Sequence, residues 1–149
     1  ALQRAEALGG AHGVYALQAA IAACHARART PAETDWNRIA ALYGILARVA
    51  PSPVVELNRA VALGMAFGPA VGLELVDMLA ADGALRGYHL LPSVRGDLLA
   101  RLGRVDEARR EFERAASLTR NARERGLLLR RAASLGSGSP LDAPGGRRP

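Results

Sequence analysis

Two glycines recur at an interval that constrains the fold more than any other feature of the chain. Gly68 follows Phe67 and Gly103 follows Leu102, and each closes one apolar segment just before another begins. The two glycines lie 35 positions apart, close to the roughly 34-residue period of arrays built from helix pairs. A single helix pair cannot bury its apolar face alone, so this period predicts pairs that stack side by side.

Helical spacing of apolar residues between Gly and Pro breakers predicts an all-α chain. Aromatic residues make up only 4% of the sequence, and Val/Ile runs of strand length are missing, which favours helix over sheet. Thr34 or Asp35 is the expected N-cap of the third helix, and Pro53 suits the first turn of the fourth. The predicted helices cover residues 2–8, 14–28, 36–50, 54–67, 70–81, 89–102, 105–118 and 122–135.

The last repeat is the clearest. Gly96, Ala108 and Ala115 stand where a tetratricopeptide (TPR) repeat places small residues, and Phe112 stands where it places an aromatic one. Small residues let adjacent helices approach closely, and the ring fills the remaining gap. We therefore expect an all-α, TPR-like right-handed stack of antiparallel helix pairs, an α-solenoid of about seven to eight helices.

The middle repeat fits less closely, because Val61 and Leu73 stand where smaller side chains are expected. A plain helical bundle is therefore the alternative, since short loops and amphipathic helices occur in both architectures. Along the chain, we expect residues 1–12 to end an upstream helix or linker and residues 13–135 to form the TPR-like domain. Residues 136–149, which lack core-forming side chains, are expected to be a disordered tail.

Composition limits the classes of partner. The net charge is +6, but all 20 basic residues are arginine, a bias that a GC-rich genome also produces. Arginines alternate with acids and no aromatic platform accompanies them, so we do not expect this domain to contact DNA. The lone Cys24 favours a cytoplasmic protein without disulfides, and no apolar run approaches the roughly 20 residues of a membrane helix.

Residues with catalytic or ligand-binding chemistry are too scattered to predict an enzyme. The three histidines are not spaced as metal ligands to one another or to Cys24, and no glycine-rich loop follows a strand. Cys24 and His25 are adjacent on a helix, so their side chains diverge. We therefore expect no enzymatic activity, no cofactor and no metal.

A binding groove is the function that this architecture predicts. In stacked helix pairs the first helix of each pair lines the concave side, so its polar residues face a groove. We expect these residues to hydrogen-bond a peptide; they are Gln18, His25, Asn58, Arg59, Asp97 and Arg101. The alternative for Asn58 and Asp97 is that they fix the packing between helix pairs.

Two further segments admit more than one interpretation. Residues 120–131 contain five arginines and one acid, which favours a solvated capping helix over contact with an acidic partner or with phosphates. Trp36, Tyr43 and His89 would form the wall of a small-molecule sensor pocket if the concave side bound a metabolite.

Four strings resemble the C-terminal region of extracytoplasmic-function (ECF) RNA polymerase sigma factors that carry a TPR-like extension. They are GVYALQAAIAACHARA at residues 13–28, TDWNRIAALYGIL at 34–46, SPVVELNRAVAL at 52–63 and GYHLLPSVRGDLLARLGR at 87–104. The resemblance covers nearly all of residues 10–135.

This resemblance implies a regulatory domain that modulates promoter-directed transcription initiation through protein contacts. The implied partners are core RNA polymerase, the sigma factor's own upstream domains, or a separate regulatory protein, and the full-length protein rather than this domain would contact DNA. The competing interpretation is a free-standing TPR adaptor that binds peptides and has no link to transcription.

Overall fold

The structure, a computed structural model, describes residues 2–136 of the backbone and residues 13–135 of the side chains. These residues form seven α-helices and a short 3-10 helix, Pro31–Glu33, with no strand in the described range. None of these helices is long and apolar enough to cross a membrane. The α-helices are α1 (Leu2–Arg27), α2 (Trp36–Val49), α3 (Pro53–Phe67), α4 (Pro69–Asp82), α5 (Leu90–Arg101), α6 (Val105–Leu118) and α7 (Ala122–Gly136).

The first helix differs from the prediction. A break was expected at Gly9 and Gly10, but α1 runs through both glycines and through the boundary expected at residue 12. Glycine costs a helix interior about 1 kcal/mol relative to alanine, whereas proline costs about 3 kcal/mol and removes a hydrogen bond. Gly9 and Gly10 are therefore accommodated within α1. The tail predicted for residues 136–149 lies outside the described residues, apart from Gly136 at the end of α7.

The other predicted helix ends are close to those observed. The Asp35 side chain caps α2 by accepting a hydrogen bond from the Arg38 backbone N–H at 3.1 Å, and Pro53 is the first residue of α3. Gly68 and Gly103 have positive φ angles of 112° and 77°, which side chains with a Cβ rarely adopt. The two repeat glycines are therefore the turn residues that reverse the chain after α3 and α5.

The first compact unit is Ala1–Arg86 and holds α1 to α4, each packed on the next. Ile39 in α2, Leu57 and Ala60 in α3 and Val76 in α4 are almost fully buried. Helices α3 and α4 approach closely at Gly72, where an added Cβ would lie 2.6 Å from the Ala60 carbonyl oxygen. This contact brings α4 directly against the α3 backbone.

The second compact unit is Gly87–Pro149 and holds α5 to α7, again packed in chain order. Ala108, Phe112 and Ala115 are buried, and a Cβ on Gly96 would lie 2.9 Å from the Phe112 ring. The predicted combination of small residues and one space-filling aromatic ring is therefore confirmed in this unit.

Candidate functional site

A cavity of about 420 Å³ opens between α1 and α3 in the first unit, and we call it the α1–α3 cavity. Helix α2 packs against both of these helices. Its buried Leu46 and partly buried Tyr43 form the floor. The complete lining is Gln18, Ile21, Ala22 and His25 from α1, Tyr43 and Leu46 from α2, and Ser52, Val54, Val55 and Asn58 from the start of α3.

Helical spacing explains why these side chains converge. Gln18, Ala22 and His25 lie four and three positions apart on α1, so they share one face. Val54 and Asn58 are four positions apart and share a face of α3 in the same way. Each α1 and α3 face therefore carries both a polar group and an apolar surface toward the cavity.

The polar groups of the cavity are available for a ligand. Gln18, His25 and Asn58 are exposed, and neither amide hydrogen-bonds another residue in the described part of the chain. The His25 ring lies edge-on to the Trp36 ring, with 5.5 Å between centroids, which fixes its orientation beside the cavity. An amide supplies both donors and an acceptor, so the rim can complement a peptide backbone.

The cavity is nearly free of charge. Its lining contains no Asp, Glu, Arg or Lys. Burial raises the pKa of Tyr43 above its ordinary value, because desolvation disfavours the phenolate. Tyr43 therefore presents a neutral hydroxyl at neutral pH. A site of this kind favours uncharged or weakly polar ligand groups.

Arg59 does not share this cavity with Asn58, although both were predicted to face one groove. Adjacent helix residues point in different directions, and Arg59 instead pairs with Glu56 at 3.4 Å. Arg59 lines a second cavity of about 580 Å³ on another side of α3. Its other lining residues are Ala41, Gly44, Ile45, Ala47, Arg48 and Glu56.

The remaining two predicted groove residues belong to the second unit. Asp97 accepts a hydrogen bond from Arg131 of α7, and the Arg131 guanidinium lies 4.4 Å from the Phe112 ring centroid. Asp97 thus joins α5 to α7, as the packing alternative predicts. Arg101 is exposed in the last turn of α5. Of the six predicted residues, the structure brings Gln18, His25 and Asn58 together at one cavity.

The three residues predicted to form the wall of a small-molecule pocket do not meet at one site. Tyr43 lines the α1–α3 cavity, whereas Trp36 packs on His25 and its buried Nε1 has no hydrogen-bond partner among the described residues. His89 lies in the second unit, where its Nε2 is 2.8 Å from Glu124 Oε1. Each residue therefore has a local structural role of its own.

Sequence reasoning missed the apolar part of the cavity, especially Val54, and named Tyr43 only for the alternative small-molecule pocket. One signal was present: Val54 precedes Asn58 by four positions and so lies on the same helix face. Tyr43 is harder to find because the floor depends on how α2 packs between its two neighbours. No group of three or more His, Cys, Asp or Glu side chains in the described chain could hold a metal ion.

Comparison with known proteins identifies the fold. The first TPR domain of the human RPAP3 protein, solved by NMR, superimposes with a TM-score of 0.65 and 22% sequence identity. The match covers 85% of this chain and 94% of that domain. The predicted all-α, TPR-like α-solenoid is therefore confirmed, and the plain helical bundle is excluded.

Sequence comparison adds one relative of undescribed activity. An uncharacterized protein of Rhizobium meliloti (strain 1021) is 51% identical over 112 residues, which is 75% of this chain. The chain spans about a quarter of that protein's length, since the match covers 26% of it. No protein-family model matches the chain.

These findings correct the sigma-factor prediction. The structural match is a TPR domain and the sequence relative is uncharacterized, so neither one points to an ECF sigma factor. The quoted strings occur on helices of a TPR-like fold, where the spacing of apolar and small residues is imposed by packing between helix pairs. The sigma-factor function was therefore wrong, and the TPR adaptor interpretation agrees better with the match. The fold supports protein partners in general, and neither comparison supports the transcription partners.

Proposed function

We propose that this chain is a TPR-type adaptor domain that binds a peptide segment of another protein in the α1–α3 cavity. The observation that supports this function is the convergence of three exposed polar side chains, Gln18, His25 and Asn58, above the cavity floor. The TPR-like fold supports a protein partner in general. The proposal assigns binding rather than catalysis to the chain, in a cytoplasmic setting that its lone buried Cys24 favours.

The cavity suits a short, weakly charged peptide. The Gln18 and Asn58 amides can donate to and accept from the ligand's backbone, which is independent of the ligand's sequence. Leu46 of the floor and the neighbouring Val55 can hold one apolar ligand side chain, and the cavity volume of about 420 Å³ is within the range of small ligand sites. Hydrogen bonds to the ligand's backbone would thus fix its position in the cavity, and the apolar lining would select the ligand's side chain.

Peptide selection from a random display library tests the proposal. The full chain is expected to enrich peptides that carry an apolar residue, and a selected peptide is then measured with variants by fluorescence anisotropy. Ala22→Arg places a long side chain into the cavity and should weaken binding by more than about tenfold. Ala16→Arg, which adds the same charge at an exposed α1 position outside the lining, should leave binding unchanged.

Removal of single amides refines the result. Asn58→Ala should weaken binding about fivefold, because the loss of one or two hydrogen bonds costs about 1 kcal/mol. Gln18→Ala should have a similar effect. Asn37→Ala is the matched control, since Asn37 is an exposed amide on α2 outside the cavity. A selected peptide that bound Ala22→Arg as tightly as the unmodified chain would refute the proposal.

A further inference from the structure

The start of helix α7 carries a third recessed surface, in the unit that does not contain the α1–α3 cavity. Asn121, Arg123, Glu124, Leu127 and Arg130 line a cavity of about 430 Å³, and we call these five residues the α7 surface. Arg123, Leu127 and Arg130 lie four and three positions apart, so they form one stripe along the helix. The two arginine Cα atoms are separated by about 10 Å along the helix axis.

The arginines near this surface fall into two groups by their contacts. Arg125 donates to the Thr119 carbonyl at 2.9 Å and to the Ala116 carbonyl at 3.3 Å, so it closes the end of α6. Arg131 is paired with Asp97 and lies over a buried ring. Arg123 and Arg130 have neither a hydrogen bond nor an ion pair within the described chain. Their charges are therefore available to a partner.

The acid of the α7 surface does not neutralise these arginines. One carboxylate oxygen of Glu124 lies 2.8 Å from His89 Nε2, and the other accepts a hydrogen bond from the Thr119 hydroxyl at 3.1 Å. Both oxygens are therefore engaged with residues that precede α7. The α7 surface presents two cationic groups without an acidic partner.

An apolar side chain lies between the two cations. Leu127 is 53% exposed, and it lines the same cavity as both arginines. A single exposed leucine is ordinary on a protein surface, but a leucine in a recess between two unpaired arginines can accept an apolar anchor. The two arginine charges and the recess at Leu127 together determine which ligand the α7 surface can bind.

We propose that the α7 surface binds an acidic peptide segment of another protein, with an apolar residue placed between carboxylates. The carboxylates would pair with Arg123 and Arg130, and the apolar residue would pack on Leu127. The chain's own C-terminal sequence is a poor complement, because residues 137–149 contain Arg147 and Arg148 but only one acid, Asp142. A protein segment fits better than a nucleic acid, since the lining includes an aliphatic side chain and no aromatic ring on which bases could stack.

The test measures binding of the full chain to a short fluorescent peptide with one leucine between two runs of glutamate. Changing both arginines, as Arg123→Gln with Arg130→Gln, should weaken binding about tenfold, because two exposed charge pairs are lost. Salt should weaken binding by the unmodified chain. The control is the double change Arg110→Gln with Arg114→Gln, which removes two exposed arginines of α6 and keeps the net charge equal to that of the test variant.

Selectivity provides a second readout. The unmodified chain should prefer the leucine peptide over a matched peptide with serine in its place, and Leu127→Ser should abolish that preference. Equal loss of binding in the α6 control would mean diffuse charge attraction and would overturn the proposal. A single-stranded oligonucleotide that bound more tightly than the peptide, with the same dependence on Arg123 and Arg130, would overturn it in favour of nucleic acid.

Discussion

In the first unit, α1 and α3 leave an open cavity whose rim amides, Gln18 and Asn58, have no hydrogen-bond partner in the described chain, whereas in the second unit a buried aromatic ring fills the contact between α5 and α6. There Gly96 lies against the Phe112 ring, the Arg131 guanidinium covers the same ring, and Asp97 holds Arg131 in place. The repeat glycines place Phe112 at the position of Asp77 in the first unit, 35 residues earlier. The same register position of the repeat therefore holds a buried aromatic ring in α6 and an exposed carboxylate in α4.

The largest expected effect comes from removing the ring of the closed stack. Phe112→Ala should lower the free energy of unfolding by about 3–5 kcal/mol, because it leaves a cavity beneath Gly96 and removes the surface under Arg131. The control is Phe67→Ala, since Phe67 is 62% exposed in the first unit, and its effect should be within about 0.5 kcal/mol. Urea denaturation followed by circular dichroism measures both variants, and comparable losses would contradict the difference in packing.

A smaller effect tests the close helix approach of the first unit. Gly72→Ala introduces a Cβ that would lie 2.6 Å from the Ala60 carbonyl oxygen, and overpacking of this kind costs about 1–3 kcal/mol. The gain in helix propensity of about 1 kcal/mol offsets only part of that cost. The control is Gly44→Ala in α2, where the nearest atom would be Arg59 Nε at 3.9 Å.

Gly44→Ala should instead stabilise the chain by up to about 1 kcal/mol, because the helix gains propensity without a clash. Thermal unfolding of both variants distinguishes the two glycines. A stabilised Gly72→Ala variant would show that α3 and α4 separate easily, and that the first unit is loosely packed outside its cavity as well.

These two units also differ in how well their sequence predicts them. Period and helix spacing were sufficient for the fold, because small residues such as Gly96 and Ala108 occupy positions that close packing requires. The groove was harder to predict than the fold, because only half of the six predicted groove residues meet at the α1–α3 cavity. The 35-residue repeat could have predicted the packing role of Asp97, because Asp97 lies 35 positions after Ala62, which is almost fully buried. The cavity floor depends on tertiary packing of α2, which helix spacing alone does not reveal.

Asp97 provides a test of the packing role in the second unit. Asp97→Asn should lower the free energy of unfolding by less than about 1 kcal/mol, because its partner Arg131 remains partly exposed to solvent. Binding of a peptide selected for the α1–α3 cavity should be unchanged. Weakened peptide binding without loss of stability would show that Asp97 acts in ligand binding, as first predicted. It would contradict the assignment of ligand binding to the first unit and packing to Asp97 in the second.

The smallest effect is a pH dependence that arises at the floor of the open cavity. Burial raises the pKa of Tyr43 in the folded chain above its unfolded value, so folding favours the neutral phenol. The stabilisation from this group is fully present below the ordinary tyrosine pKa of about 10, and it is lost as the pH rises through the folded-state pKa. Tyr43→Phe removes the titrating group, so the unmodified chain should lose stability relative to this variant as the pH is raised.

Denaturant unfolding at neutral and strongly alkaline pH measures the difference, with Tyr15→Phe as a control because Tyr15 is 74% exposed. The alkaline loss should persist in the control variant. A peptide that fills the cavity should bury the Tyr43 hydroxyl further and move its alkaline titration, followed by ultraviolet absorbance, to still higher pH. If a bound peptide left that titration unchanged, it would occupy a surface other than the α1–α3 cavity, which would contradict the proposed binding site.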